Sequence, residues 1–505
     1  MIKEKILGLD TNFEEFLDHY KAVLANLFSQ RSNLEEISLN RGLPPFVLRD
    51  IMSCKPLSVF IDKEYEGRGG NVSEALSVLE ATSYESLPLS LMVGINGALF
   101  LQPVGIYGST DAKDHVLGDF LNDRKLGGLM ITEPDYGSDA LKMKTSFTES
   151  EEHYHLKGTK HWAGLTGWAD FWLLTARRTD ENGDLGRDID FFIHDTLHKG
   201  VEVTEVYQNL GLYMLPYGRN EIDARIPKAH RLIPKTNGIT MMLDILHRSR
   251  LQFPGMGIGF IRRLLDEAIA HCKERFVGGS SLLNYDQVVH RISNIQSYYT
   301  VLSAMCTFTS EHAGVHRDLS RMDVAANTIK TVVTDYMQQA SQSLLQLVGA
   351  KGYRLNHLAG RAVVDSRPYQ IFEGSNDILY QQLSESILKL MRKTKVSNLY
   401  EFLKGYELSE NAADMLKDTL NFSVDLKIAQ RKLVQLGKIL GRVISLNMVI
   451  ELGQRGFRID MIDNAIENLK AEIHNLNTSF QIQAEPGFTM DYQAESSWMN
   501  YTRTV

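Results

Sequence analysis

The chain has 505 residues, 43% of them hydrophobic and 23% charged, and a formal net charge of -8. That is ample apolar surface for several cores, and at about 100 to 200 residues per domain it suggests three or four. The negative charge is spread along the sequence rather than gathered in a tail, and nothing in it suggests a polyanion partner, so no nucleic acid is expected. Cys54, Cys272 and Cys306 are too widely spaced for a metal-ligand cluster and, being odd in number, cannot all pair within one chain, so a reducing compartment and a cytoplasmic location are expected.

The stretch Met1 to Leu17 mixes Lys3, Glu4, Lys5, Asp10, Glu14 and Glu15 among its apolar residues and lacks the uninterrupted apolar core of a secretory leader. From Asn12 to about Leu121, apolar residues recur at three and four spacing, as in Phe13, Phe16, Leu17, Tyr20, Val23 and Leu24, which predicts helices. Inside this region Ser86 to Thr110 carries no charged residue and is long enough to cross a bilayer. Pro88, Asn96, Gln102 and Pro103, with Gly94, Gly97, Gly105 and Gly108, are expected to divide it into a buried helix and a loop instead.

After Lys125 the pattern changes. Gly127 and Gly128 introduce Leu129 to Thr132, and short alternating runs such as His153 to Leu156 and Phe171 to Thr175 follow, punctuated by Asn182-Gly183. These signals predict a small antiparallel β domain. Helical periodicity returns near Ile239, with long segments at about 239–275, 284–314, 318–349 and 376–393, a bundle-like arrangement. A further helical block, about 396–485, holds the amphipathic runs Leu416 to Ile428 and Lys432 to Leu452. The expected domains are therefore 1–124 (helical), 125–236 (β), 237–394 (four-helix bundle) and 395–505 (additional helices).

No Walker A sequence is present. The run Gly255-Met256-Gly257-Ile258-Gly259 joins two helical stretches with no strand before it, so it predicts close helix packing rather than a dinucleotide-binding turn.

Two segments carry the chemistry: Leu129-Met130-Ile131-Thr132-Glu133-Pro134-Asp135-Tyr136-Gly137-Ser138-Asp139-Ala140 and Tyr369-Gln370-Ile371-Phe372-Glu373-Gly374-Ser375-Asn376-Asp377-Ile378. The first resembles the T-E-P-x-x-G-S-D loop of the acyl-CoA dehydrogenase family. The second resembles that family's Y-x-I-x-E-G-T-x-x-I segment, with Ser for Thr. The resemblance covers roughly residues 1–394. Lys160-His161-Trp162 looks like the second flavin-facing strand, Asp266 to Arg275 like the bundle helix that ends in a flavin-contacting arginine, and Gln346 to Tyr353 like the Q-x-x-G-G-x-G-Y turn, with Ala350 for one glycine.

The resemblance implies a mainly helical fold with a β insert, bound FAD, and oxidation of an acyl-CoA thioester to the trans-2-enoyl-CoA. It belongs with fatty acid metabolism and beta-oxidation, with electron-transfer flavoprotein as the electron acceptor. An α proton and a β hydride must leave together, so a carboxylate and a flavin must face opposite sides of one carbon–carbon bond. Glu373 is the candidate base. An apolar pocket raises a glutamate toward working pH, while Ser375 and Asn376, read as caps of a helix starting near Asp377, favour the charged form.

Thr132, Ser138, Trp162, Gly164, Ser375 and Asp377 are implied at the cofactor. Arg275, Gln346 and Gly349 are implied across a subunit boundary, in a homodimer or homotetramer. Ser138, Arg250, Glu373 and Gly374 are implied at the substrate, with the Glu373 main-chain N–H and a ribityl hydroxyl holding the thioester carbonyl. His247, Arg248 and Arg250 form a basic cluster that reads either as a solvated face or as an attractor of CoA phosphates. Some relatives carry the base just before the arginine that Arg250 matches. That position is Ser249, which leaves Glu373 as the aligned carboxylate.

One departure matters. Ala163 and Gly164 stand where the dehydrogenases carry a hydrophobic residue and then Thr or Ser. That change resembles acyl-CoA oxidases, so oxidase chemistry is the second reading, and a flavin-free acyl-binding scaffold is the third. The addition after Lys393 occurs in oxidases and in very-long-chain dehydrogenases alike. The wording Glu373-Gly374-Ser375-Asn376-Asp377-Ile378 is closer to the latter.

Overall fold

The computed structural model describes residues 12–37, 39–425, 427–482 and 487–502; most of the segment read for a leader lies outside them. The chain opens with α1 (Phe13–Asn26), α2 (Pro45–Ser53), α3 (Val72–Glu85), α4 (Leu87–Asn96), α5 (Gln102–Tyr107) and α6 (Thr110–Leu117). Asn12 and Asn71 start α1 and α3 by accepting from backbone N–H groups of the first turn, which satisfies donors the helix itself cannot pair.

The uncharged stretch departs from the expected helix and loop. It is helical nearly throughout, with a π turn over Gly97–Leu101 joining α4 to α5. Pro88 sits in the first turn, where a missing N–H breaks little helical bonding, and Pro103 comes directly after the π turn, where the regular bonding pattern is already interrupted. Its apolar length is accounted for by burial, since most of it lies inside the protein.

The middle segment forms β1 (Gly127–Met130), β2 (Ser146–Glu149), β3 (His153–Gly164), β4 (Phe171–Arg178), β5 (Asp190–Asp195), β6 (Val201–Val206) and β7 (Tyr217–Pro227). They lie in one sheet in the order β1-β4-β2-β3-β7-β6, with β5 also on β4. The sheet is mixed rather than wholly antiparallel. β1 pairs with residues 171–174 and β2 with residues 177–178 of β4, both parallel. The two therefore lie end to end along β4, like one strand from which residues 131–145 loop out. That loop carries the T-E-P motif.

Next come α7 (Gly238–Glu274), α8 (Asp286–His312), α9 (Asp323–Val348), α10 (Leu358–Ser366) and α11 (Asn376–Thr394). The glycine run lies inside α7, where a Cβ at Gly259 would sit 2.1 Å from the Glu80 carbonyl oxygen and one at Gly257 2.7 Å from Leu302 and Val333. Glycine is what lets α7 press backbone to backbone on α3. α7 and α9 run in parallel: Arg250 meets Asn327, and seven residues on Gly257 meets Val333.

After short helical turns between Leu399 and Leu420, α12 (Gln430–Gln454) and α13 (Ile459–Gln481) complete the chain's long helices. α12 lies directly on α11, because a Cβ at Gly437 would fall 2.1 Å from the Tyr380 carbonyl oxygen. A single apolar core runs from Phe16 to Ile473 and includes this last block.

Candidate active site

Glu373 sits in the turn that leads into α11, with φ +53°, and Gly374 follows at φ +92°. Left-handed backbone costs a residue with a Cβ roughly 1–2 kcal/mol, so something must hold it there. Arg250 donates to the Glu373 carbonyl from Nη2 at 2.8 Å and Nε at 3.2 Å. Lys330 donates from Nζ to the Gly374 carbonyl at 2.8 Å and to Asn376 Oδ1 at 2.9 Å. Arg250 is fixed in turn by Asn327 Oδ1 at 2.9 Å.

The Glu373 carboxylate is asymmetric. Oε1 accepts from Ser249 Oγ at 2.9 Å, whereas Oε2 is buried with no hydrogen-bond partner. Burial raises its pKa above the ordinary 4.5, and Arg250, the Ser249 hydroxyl and Lys330 pull the other way without cancelling it. Burial also lowers Lys330 to about 7, against the opposing charge of Glu373. Tyr217, whose hydroxyl is raised first by burial and then by the charge of Glu373, faces the same space. It pairs with Gly164 across the β3–β7 ladder. A Cβ at Gly164 would lie 2.7 Å from Ile95 Cδ1 and 3.5 Å from the Tyr217 ring. Gly164, Ile95, Tyr217 and Glu373 thus converge from strand, helix and turn.

The T-E-P loop is anchored by a buried ion pair. Lys160 Nζ donates to Glu133 Oε1 at 2.9 Å, the Ile131 carbonyl at 3.1 Å and Thr175 Oγ1 at 3.0 Å. Glu133 also accepts from the Lys144 and Thr145 backbone N–H groups. Both charges are therefore paired and hydrogen-bonded, the condition for tolerating them inside. The loop's Thr132 carbonyl accepts from His161 N–H at 3.0 Å, tying it to β3 where the ladder bulges between His161 and Ala163. At that bulge Trp162 has φ +59° and is 50% exposed, its ring 4.5 Å from that of Tyr207. Thr132 is half-buried beside it and Ser138 is exposed in the loop.

Other expected residues fall elsewhere. Arg275, Gln346 and Gly349 are exposed at the C-terminal ends of α7 and α9. Arg275 is about 25 residues beyond Arg250 on α7, or about 37 Å at 1.5 Å per residue. The basic cluster is not a solvated face: His247, Arg248 and Arg250 are all buried. His247 bonds the Leu319 carbonyl, and Arg248 pairs with Asp244 at 3.2 Å and donates to the Arg317 carbonyl at 2.9 Å. Nor do Ser375 and Asn376 cap α11 with their side chains. Ser375 occupies the cap position, Asp377 is exposed in the first turn, and the Asn376 side chain turns inward to Lys330, Thr334 and Asp335.

Tyr217, Lys330 and Asn327 escaped the sequence reading, and Ser249 entered it only as a position without a carboxylate. The buried polar residues at helical spacing, Asn327, Lys330, Thr331 and Thr334, were the available signal.

Three family models cover most of the chain: "Acyl-CoA dehydrogenase, N-terminal domain" over residues 15–124, "middle domain" over 128–224 and "C-terminal domain" over 236–388. An acyl-CoA dehydrogenase of Bacillus subtilis is 22% identical over 337 residues, 66% of this chain and 86% of the relative. The caffeyl-CoA reductase-Etf complex subunit CarC of Acetobacterium woodii is 23% identical over 70% of this chain and 93% of its own. Among solved structures, the acyl-CoA dehydrogenase from Bacillus anthracis complexed with FAD superposes with a TM-score of 0.77 at 18% identity, covering 99% of this chain and 93% of that one. Its coverage includes α12 and α13, which lie beyond the family models.

The residues present fit an FAD. A half-exposed indole on a bulged strand, a loop open around Gly137 and Ser138, and a glycine at 164 backed by Ile95 leave a face on which a flat ring can rest.

Proposed function

The chain belongs to the acyl-CoA dehydrogenase family, and from that premise we propose that Glu373 takes the α proton of an acyl-CoA thioester through Oε2. It is an FAD-dependent oxidoreductase. The observation that carries the assignment is the carboxylate itself, one oxygen held by Ser249 and the other buried with its lone pairs uncommitted. A base that is desolvated and raised above its ordinary pKa binds a proton more tightly when the substrate offers one. Ser249 fixes which oxygen receives it.

Bound FAD supplies the acceptor for the hydride that leaves the β carbon. Thr132, Ser138, Trp162 and Gly164 would hold the ring and its phosphate side, with Ser375 and Asp377 at the turn into α11. The Glu373 N–H would hold the thioester carbonyl where enolate charge develops. Arg250 acts through the backbone carbonyl of Glu373 and Lys330 through that of Gly374, keeping the base in its strained pose. Ile95 and Tyr217 would wall the acyl chain near the reacting carbons.

Arg275, Gln346 and Gly349 stand too far along the bundle to serve the ring beside their own Glu373. Their exposure supports contact with the cofactor of a second subunit, in a homodimer or homotetramer. The Etf-complex relative supports an electron-transfer flavoprotein as acceptor. Three free cysteines suit a reducing, cytoplasmic setting.

The test is anaerobic mixing of the FAD-loaded enzyme with acyl-CoAs of graded length, followed by the flavin absorbance. Bleaching by wild type and not by Glu373→Gln supports the assignment, and equal bleaching by both removes Glu373 from the mechanism. Stoichiometric peroxide in air without an added acceptor would instead support oxidase turnover.

A further inference from the structure

The turn that carries Glu373 is clasped by one carboxylate. Asp335 Oδ1, on α9, accepts from Gln370 Nε2 at 2.9 Å and from Asn376 Nδ2 at 2.8 Å. These donors lie three residues before and three after Glu373. Asn376 passes the restraint to Lys330, which holds the Gly374 carbonyl. A buried carboxylate can do this only if its charge is compensated.

The compensation comes from the last helical block. Arg442, on α12 and 5% exposed, donates from Nη2 to Asp335 Oδ2 at 3.2 Å. It also bonds the Tyr380 hydroxyl, which itself donates to Asp335 Oδ2 at 2.7 Å. Glu472, on α13, balances the guanidinium from behind at 3.1 Å. Asp335 consequently stays below the ordinary carboxylate range although it is buried, chiefly because of Arg442. Gly437 and Gly441 allow the approach, since the first meets the Tyr380 backbone and the second its ring.

We propose that Arg442 is a positioning residue for the catalytic base, so that α12 and α13 form part of the active-site scaffold. The proposal rests on Glu373 being the base. Glu373 and Gly374 hold left-handed backbone that relaxes unless the surroundings over-determine it. Without Arg442, Asp335 carries an unpaired buried charge and is driven to bind a proton. The bonds from Gln370 and Asn376 to Oδ1 then end on an uncharged carboxyl and weaken, and the base moves relative to the substrate. The same loosening readmits water to Glu373, whose pKa is raised mainly by burial.

The test compares Arg442→Met and Asp335→Asn with Arg455→Ala, all as full-length FAD-loaded enzyme. Arg455 also lies on the last block but pairs with Glu311 at the surface, so its loss reports stability alone. A displacement of about 1 Å at reacting groups costs up to about a hundredfold in rate. Arg442→Met is therefore expected to lower kcat between about tenfold and a hundredfold with KM little changed, and to move the acid limb of the pH–kcat/KM profile to lower pH. Arg455→Ala should leave both unchanged, and Arg442→Lys should recover part of the loss.

If Arg442→Met does not fold, Tyr380→Phe removes only the hydroxyl between Arg442 and Asp335. A threefold or larger fall in kcat with the same shift of the acid limb is then expected. A folded Arg442→Met, or failing that Tyr380→Phe, with wild-type kcat and acid limb overturns the proposal. Glu373→Gln separates the two readings: if it keeps turnover, the base assignment fails, whereas if it is inactive while the Arg442 variants behave as wild type, only the positioning role fails.

Discussion

Glu373→Gln should slow turnover while making the folded protein more stable at neutral pH, and the two effects have one cause. The amide keeps an oxygen for Ser249 Oγ but offers no basic lone pair in place of Oε2. Loss of a positioned general base costs about 10²- to 10⁴-fold in kcat. In the folded chain the carboxyl pKa is raised above 4.5, so over the window from 4.5 up to the folded value the native state holds a proton that the unfolded state has released. Stability therefore falls as pH rises through that window, and the full cost stands above it. Glutamine has no such term. An unpaired buried amide costs about 1–3 kcal/mol, an unpaired charge more, so the variant is expected to gain on the order of 1 kcal/mol at neutral pH and nothing at pH 4. The assay is urea unfolding of wild type and variant at matched FAD between pH 4 and 8, beside single-turnover flavin bleaching. Parallel stability curves at every pH would refute the burial argument, and undiminished bleaching would refute the base.

Lys160→Met should leave Glu133 charged and unpaired inside the T-E-P loop, costing about 3–5 kcal/mol; urea unfolding and the flavin absorbance of the purified protein check the loss of stability and of FAD together. Gly437→Val places side-chain atoms where a Cβ alone would be 2.1 Å from the Tyr380 carbonyl oxygen, so α12 must lift from α11, with a cost of at least about 1–3 kcal/mol read as a lower thermal midpoint. Arg275→Ala should weaken FAD retention without changing the Glu373 environment; equal flavin occupancy after gel filtration would count against a cofactor site shared between subunits.

What the sequence made legible was local. The T-E-P loop and the Glu373 segment are contiguous, and glycine spacing inside α7 announces close helix contact, which Gly257 and Gly259 bear out. Features that depend on residues far apart in sequence were not legible. Ser375 and Asn376 have the composition of helix caps, but Asn376 finds a better set of partners in Lys330, Thr334 and Asp335, 41 to 46 residues away. His247, Arg248 and Arg250 look like a solvated charge cluster, but each has a backbone carbonyl waiting on a distant segment. Pro88 and Pro103 suggested a break, yet Pro88 falls in a first turn and Pro103 just after a π turn, and the helix continues past both. The mixed sheet escaped because alternating runs announce strands without naming their partners, and the shared neighbour of β1 and β2, β4, comes later in the chain.

Of the nine non-glycine residues with left-handed backbone among the described residues, three lie where the chemistry is assigned. Trp162, Leu165 and Glu373 all hold φ between +53° and +73° with a Cβ present, each at a cost that packing alone would remove by relaxation. Trp162 and Glu373 are each restrained from a distant segment: Trp162 by the His161 bond to Thr132, Glu373 by Arg250 on its own carbonyl and by Lys330 on that of Gly374. The restraining groups are charged or backbone polar groups with fixed directions, and apolar side chains could not supply that directionality. A buried polar layer in the bundle, from Arg250 through Lys330 and Asp335 to Arg442, is costly to desolvate, and its use here is to specify one orientation of one carboxylate. Replacing it with well-packed hydrophobic residues would be expected to preserve or raise stability while releasing the base, so stability and turnover should separate at these positions.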